Sequence, residues 1–203
     1  MVLHSSVSEF HAGFFDVCNF SFGSKKMSFA KEKEMLPIVM NWLRPQVTFA
    51  ETELWCGYAG EYVPDIVGIA LDLQKVAKRK RKSPRSRREI RKIIESFDVP
   101  QVCHTDMIAI ELKLSNFIEA YFQAKMYQSF GFRSYIAMPE GSFIKLNPIR
   151  RLVLQHDGIG FIEVGDKCKE LLVGRPSLSF SIEEEAQISE RLICRFIKEQ
   201  ENE

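Results

Sequence analysis

The sequence predicts an α/β fold in which a mixed β-sheet is flanked by helices. Residues 106–114 alternate between apolar and other side chains, which is typical of a strand. Residues 46–55 and 61–71 also have strand-like patterns, and the glycines of CGYAG separate them, as in a hairpin. Helical patterns precede and follow these three segments. The 203 residues are 45% hydrophobic and 27% charged, which predicts a globular chain with a sizeable core and excludes a disordered one.

The first helical pattern covers residues 28–43. At about 100° per residue, one face of this helix collects a mostly apolar set, namely Phe29, Glu32, Leu36, Val39, Met40 and Leu43. Glu34 falls on the opposite side, which we expect to be solvated. Pro37 must be tolerated within the helix or kink it.

The third strand pattern, residues 106–114, has two distinct faces. From position 108 to position 114 its even positions are all apolar, whereas two of its odd positions, Glu111 and Lys113, are charged. Because side chains alternate along a strand, Glu111 and Lys113 project from the same face. Asp65 shares a face of the preceding strand with apolar neighbours, where a carboxylate is costly unless it is paired or binds a cation.

The remaining elements follow from capping and breaking signals. Residues 116–130 form a helix that Asn116 caps, with Glu119 completing a capping box. A strand at 132–138 ends at Pro139, and a short helix follows the Asn147-Pro148 pair. A further strand covers 158–164, and a terminal helix covers 181–200. Residues 1–27 lack a sustained period and are expected to be an irregular lead-in.

The cysteines and apolar runs indicate the type of cellular environment. Five scattered cysteines without a CxxC pair argue against a zinc site and a disulfide framework, and fit a reducing cytoplasm. The longest apolar runs are too short to span a bilayer, and the first residues do not have the pattern of a signal peptide. We therefore expect a cytoplasmic protein without a membrane partner.

One segment carries a strong local charge. Residues 75–92 contain eleven Lys or Arg and one Glu, in a chain whose formal net charge is only +1. This segregation predicts a polyanionic partner, and the candidate nucleic-acid-binding residues are Lys78, Arg79, Lys80, Arg81, Lys82, Arg85, Arg87 and Arg88. A solvated surface arm and a nuclear import signal are the alternatives.

The acidic residues and the lysine suit metal-assisted hydrolysis of a phosphodiester. Two or three carboxylates can hold Mg²⁺, which prefers oxygen ligands and keeps several waters. The ion lowers the pKa of a bound water, and a nearby lysine can orient that water and stabilise the transition state. Glu32, in the middle of the apolar helix face, is a further carboxylate in an unfavourable position.

The spacing of these residues resembles the PD-(D/E)xK nuclease superfamily, which includes restriction enzymes, Holliday-junction resolvases and RecB-like nucleases. The matching motifs are Pro64-Asp65 and Glu111-Leu112-Lys113, and the following helix carries Gln123 and Tyr127 like the Q-x-x-x-Y element of RecB-like members. The resemblance covers residues 28–138 and the strand at 158–164. It implies a restriction-endonuclease-like core of order αβββαβ at 28–165, with a basic insertion at 73–104 and a helical C-terminal extension at 166–203 packed on the core.

The resemblance also implies a role for each matching residue. Asp65, Glu111 and the carbonyl of Leu112 would ligate Mg²⁺, for which Mn²⁺ would substitute. Lys113 would be the catalytic lysine. Glu32 would bind a second ion or a metal-bound water, and Gln123 would position Lys113 or the DNA backbone.

Less specific explanations exist for each of these residues. Asp65 could cap a turn, and Glu111 and Lys113 could be an exposed pair on a solvated face. Glu32 would be a surface residue if the helix were rotated by one position, and Gln123 and Tyr127 could be ordinary helix positions.

The expected function is that of a DNA endonuclease of repair or recombination, acting on branched or junction DNA. A homodimer would allow two strands to be cut symmetrically. The alternatives are a non-catalytic nucleic-acid-binding or scaffolding protein on the same fold, and an RNA-directed nuclease.

Overall fold

A computed structural model of the chain describes residues 28–53, 63–71 and 104–176. These residues form an α/β fold with a six-stranded mixed sheet, flanked by helices as the sequence predicts. The irregular lead-in at 1–27, the basic insertion apart from its last residue, and the terminal helix at 181–200 lie outside the described residues.

The strands lie in the sheet in the same order as in the chain. Adjacent strands among the first three are antiparallel, the third, fourth and fifth are parallel to one another, and the sixth is antiparallel to the fifth. The bounds are Phe49–Thr52 (β1), Ile66–Leu71 (β2), His104–Leu112 (β3), Arg133–Pro139 (β4), Gly160–Val164 (β5) and Cys168–Leu172 (β6). The carboxyl ends of β3, β4 and β5 therefore meet at one edge of the sheet.

The first helix is shorter than the predicted 28–43. A 3₁₀ turn at Glu32–Glu34 precedes α1, which covers Leu36–Leu43 and has Pro37 in its first turn. Proline has no backbone N–H and therefore breaks a hydrogen bond in the interior of a helix. In the first turn the N–H groups have no partner within the helix, so a proline there loses nothing. Pro37 therefore fits where the α-helix starts, and the prediction of one continuous helix was wrong over its first half.

The capping signals are confirmed at two helices. Helix α2, Phe117–Ser129, starts after Asn116, whose side chain accepts a hydrogen bond from the Glu119 N–H. Helix α4, Pro148–Asp157, starts after Asn147, whose side chain accepts from the Arg150 N–H. In each case the side chain satisfies an N–H group that has no partner within the helix.

Two short elements were not predicted. Helix α3 covers only Ser142–Lys145. Strand β6 lies in the range 166–203 that was expected to be helical, so this expectation was wrong for Cys168–Leu172. The strand has only five residues, and two of them, Lys169 and Glu170, are charged. It gains backbone hydrogen bonds by pairing with β5 at the sheet edge, which its own sequence does not indicate.

The sheet has a buried cluster on each face. Helix α1 packs with the cluster that contains Ile66, Ile110, Leu112, Tyr135 and Ile162, and α2 and α4 contribute to the one that contains Ile136, Met138 and Phe161. Both faces of β3 are consequently covered, and Glu111 is only 2% exposed. This burial excludes the explanation that Glu111 belongs to a solvated sheet face.

None of the helices in the described ranges has the length and apolar content that a membrane span requires.

Candidate active site

The pairing of β2 with β3 brings two acidic residues together. Ile66 lies opposite Ile110 in this antiparallel pair, so the same register places Asp65, directly before β2, opposite Glu111. The two residues are 46 positions apart in the sequence. Directly opposite residues of an antiparallel pair point to the same face of the sheet, so the two side chains lie on one side of it. The cluster therefore lies beside the start of β2 and the end of β3.

Both oxygens of the Glu111 carboxylate have partners. The Tyr127 hydroxyl donates to Oε2 at 2.8 Å, and Lys113 Nζ lies 3.0 Å from Oε1. Burial and the charge of Asp65 raise the pKa of Glu111 to about 7, although the contacts with Lys113 and Tyr127 act in the opposite direction. Glu111 is thus a fixed carboxylate whose negative charge is only partly compensated.

Lys113 lies between two carboxylates. Its Nζ is 3.2 Å from Glu119 Oε1, in addition to its contact with Glu111. Burial lowers the pKa of Lys113, but the hydrogen bonds and charges of its acidic neighbours outweigh this effect and raise it to about 12. The side chain is 13% exposed, so the ammonium group is held in one position and still reaches the surface.

The Asp65 carboxylate is hydrogen-bonded to β3, the strand that carries Glu111. Its Oδ2 accepts a hydrogen bond of 2.7 Å from the Leu112 N–H. Burial raises the pKa of Asp65, and the charges of Glu32 and Glu53 raise it further, against the opposing effects of this hydrogen bond and of Lys113. A cation at this position would offset the repulsion among these carboxylates.

Glu32 reaches the same end of β3. It is half-buried, and its Oε1 accepts a hydrogen bond of 3.3 Å from the Leu114 N–H. Glu34 is exposed and accepts from the Ala30 N–H within its own turn. The predicted inward position of Glu32 and outward position of Glu34 are confirmed, although the 3₁₀ turn replaces the start of the predicted helix.

If the chain has the metal-dependent nuclease activity that the sequence predicts, Glu32→Gln should slow cleavage of nucleic acid, whereas Glu34→Gln should leave the rate unchanged. Both substitutions remove one negative charge from the same turn, but only Glu32 lies beside Leu114 and raises the pKa of Asp65. The measurement compares initial cleavage rates of the two purified variants with wild type. A Glu32→Gln variant that cleaves at the wild-type rate would show that Glu32 has no part in the reaction.

Among the described residues, the ammonium group of Lys113 pairs with Glu111 and Glu119, and no hydrogen bond from Gln123 to it is found. The side-chain oxygen of Gln123 is buried, and no hydrogen-bond partner for it is found among the described residues. Its predicted role in positioning the lysine therefore finds no support in these contacts. A donor on a bound ligand or water would satisfy this oxygen.

Sequence reasoning missed two of the site's contacts. Glu119 was interpreted only as a capping residue, yet it also pairs with Lys113. Tyr127 was matched to a motif without a stated role, and it binds Glu111. The spacing contained the signal, because positions 119, 123 and 127 recur every fourth residue and lie along one side of a helix.

The carboxylates of Asp65 and Glu111 are the candidate ligands for a metal ion. Within residues 28–53, 63–71 and 104–176, no three His, Cys, Asp or Glu side chains form a metal-binding group. The predicted set needs only two carboxylates, Asp65 and Glu111, with a main-chain carbonyl and water as further ligands. Burial first, and then repulsion from neighbouring carboxylates, raises the pKa of both carboxyl groups, and a bound Mg²⁺ would offset that repulsion, so the chemistry of the two carboxylates suits such an ion.

Comparisons with known proteins add information on the fold alone. No family model matches the chain, and no curated protein matches it. The chain is similar in structure to a solved protein of Silicibacter pomeroyi, the SPO1766 protein of unknown function, with a TM-score of 0.52 and 11% sequence identity. The match covers 86% of this chain and 91% of that protein, so the two share a fold over most of their lengths.

Proposed function

We propose that the protein is a Mg²⁺-dependent nuclease that hydrolyses DNA on a restriction-endonuclease-like core. The observation that carries the proposal is the grouping of the buried Glu111 with the half-buried Asp65 and Lys113, beside the start of β2 and the end of β3. Burial of a carboxylate that is only partly paired is costly, and a protein has little structural reason to group two of them. The ammonium group of Lys113 beside them provides a positive charge that can stabilise an anionic phosphate during hydrolysis.

Each of these side chains has a distinct task in the proposed reaction. Mg²⁺, if bound here, would supply a water of lowered pKa and would neutralise charge on the phosphate. Asp65 and Glu111 would hold the ion, and the N–H of Leu112 fixes the orientation of the Asp65 carboxylate. Lys113, at the end of β3, would orient the attacking water through its ammonium group and stabilise the negative charge that develops on the phosphate.

Tyr127 and Glu119 support these groups from α2. The Tyr127 hydroxyl fixes Glu111 by its bond to Oε2, and Glu119 keeps Lys113 in place through Oε1. Groups that orient a metal ligand commonly change metal affinity or activity when they are removed. The order of elements also supports the core assignment, since a helix and three antiparallel strands precede α2 and the parallel strand β4.

Incubation with supercoiled, linear, single-stranded and four-way-junction DNA, each with Mg²⁺ or with EDTA, tests the proposal. We expect cleavage with Mg²⁺ and none with EDTA, with the junction cut fastest if branched DNA is the substrate. A parallel series with RNA substrates of the same sequences compares the two types of nucleic acid. Tight binding of DNA without any cleavage in Mg²⁺ or Mn²⁺ would contradict the enzyme and favour a scaffolding protein.

A further inference from the structure

A cleft on the α1 side of the sheet lies outside the cluster described above. It has a volume of about 390 Å³, which is within the range of small-molecule sites. Helix α1 forms one wall, and the turn from β5 to β6 forms the other. Its lining consists of Ile38, Asn41, Trp42, Asp166, Lys167 and Cys168.

The lining combines an aromatic surface with polar groups. Trp42 is half-buried, and its ring makes an edge contact with the buried Tyr135, with the ring centroids 5.8 Å apart. This contact fixes the orientation of the indole ring, and Ile38 and Cys168 extend the apolar surface. Asn41, Asp166 and Lys167 are exposed and surround it with an amide, a carboxylate and an ammonium group.

The cleft and the candidate active site lie at the same end of the sheet, on opposite faces: the cleft is on the α1 side, whereas Glu111 faces Tyr127 of α2. Residues 165–167 follow the carboxyl end of β5, which runs parallel to β4 and β3, and β3 ends beside Lys113. Strands β3 and β5 lie two strand spacings apart, which corresponds to about 10 Å across the sheet. The other wall is also connected to the site, because the turn with Glu32 directly precedes α1 and contacts Leu114.

We infer that this cleft binds one nucleobase of a single-stranded segment of the substrate that passes over the end of the sheet where the candidate active site lies. This inference rests on the proposed nuclease function and adds a subsite to it. An aromatic side chain beside a cationic group is the usual combination in single-strand binding, because every base has a face that can stack. Trp42 stacks on the base, Asn41 and Asp166 bond its polar edge, and Lys167 contacts the adjoining phosphate.

The test measures binding by the full chain in EDTA, so that cleavage does not interfere. The probes are a labelled single-stranded oligonucleotide and the duplex of the same sequence, in DNA and RNA forms. We expect Trp42→Leu to weaken single-strand binding by about 10-fold, the effect of losing one stacked base, and duplex binding by less than about 2-fold. Phe122→Leu removes another exposed aromatic ring, on α2, and is the matched control, with unchanged binding.

Lys167→Ala provides a second variant, because Lys167 is exposed and its truncation does not disturb the core. We expect it to weaken binding of the single strand by several-fold and to reduce the dependence of affinity on salt. Equal affinities of wild type, Trp42→Leu and Lys167→Ala for the single strand would overturn the subsite. If Mg²⁺-dependent cleavage persists in that case, the nuclease proposal stands. Wild-type protein that neither binds nor cleaves nucleic acid would overturn both.

Discussion

Replacing Glu111 by Ala is expected to lower the rate of Mg²⁺-dependent cleavage by about 10³-fold or more. The side chain provides one of the two carboxylates of the proposed metal site, and it also holds Lys113 through Oε1. Asp65→Ala should have an effect of similar size, since it removes the other carboxylate. DNA binding in EDTA should change little in either variant, because neither side chain is proposed to contact the nucleic acid directly.

Cleavage rates at saturating DNA over a range of Mg²⁺ concentrations provide the measurement. Glu163→Gln is the matched control, since Glu163 is also a buried carboxylate at the carboxyl end of a parallel strand. It accepts a hydrogen bond from the Phe143 N–H, which a glutamine oxygen can also accept, and it lies outside the cluster. Near wild-type cleavage by folded Glu111→Ala or Asp65→Ala protein would remove the centre of the proposal.

The second large effect concerns the free energy of unfolding rather than activity. We expect Gly160→Ala to destabilise the protein by about 3 kcal/mol or more, since overpacking in a rigid core typically costs about 1–3 kcal/mol. A Cβ atom at Gly160 would lie 2.2 Å from Tyr135 Cδ1 and 2.7 Å from the backbone nitrogen of Gly174. Because one obstacle is a ring and the other is backbone, neither can move away without shifting a strand.

Thermal unfolding of the purified variants tests this expectation. Gly165→Ala is the control, because its Cβ would lie 3.1 Å from the carboxylate oxygen of Glu140, at the end of a flexible side chain. A shift in Tm of about 10 °C or more for Gly160→Ala should contrast with a small shift for Gly165→Ala. Similar Tm values for the two variants would show that the contact between β5 and Tyr135 yields easily.

Local patterns were sufficient to predict much of the fold. The alternation of β3 predicted which side chains share a face, because the period of a strand is fixed by backbone geometry. The capping roles of Asn116 and Asn147 were also predicted correctly, since a cap is a contact between residues three positions apart. The burial of Glu111 could not be predicted in this way, because it depends on α2 covering that face of the sheet.

Long-range pairing explains what the sequence did not indicate. The contact between Asp65 and the Leu112 N–H joins residues 47 positions apart, and only the register of β2 against β3 brings them together. A resemblance to a family pointed to these residues, whereas periodicity alone left several explanations open. The cleft beside Trp42 joins α1 to a turn more than 120 positions later, and β6 depends on its pairing with β5.

The balance of charges around Lys113 has a consequence for the order of events in the proposed reaction. Glu111 and Glu119 contact this single ammonium group directly, and Asp65 and Glu32 lie close enough to change the pKa values of its neighbours. The metal-free cluster therefore repels a phosphodiester. A divalent cation held by Asp65 and Glu111 would offset this local repulsion. In the proposed reaction Lys113 would therefore meet the scissile phosphate only with the cation in place, and nucleic acid that arrives first would be held by contacts further away.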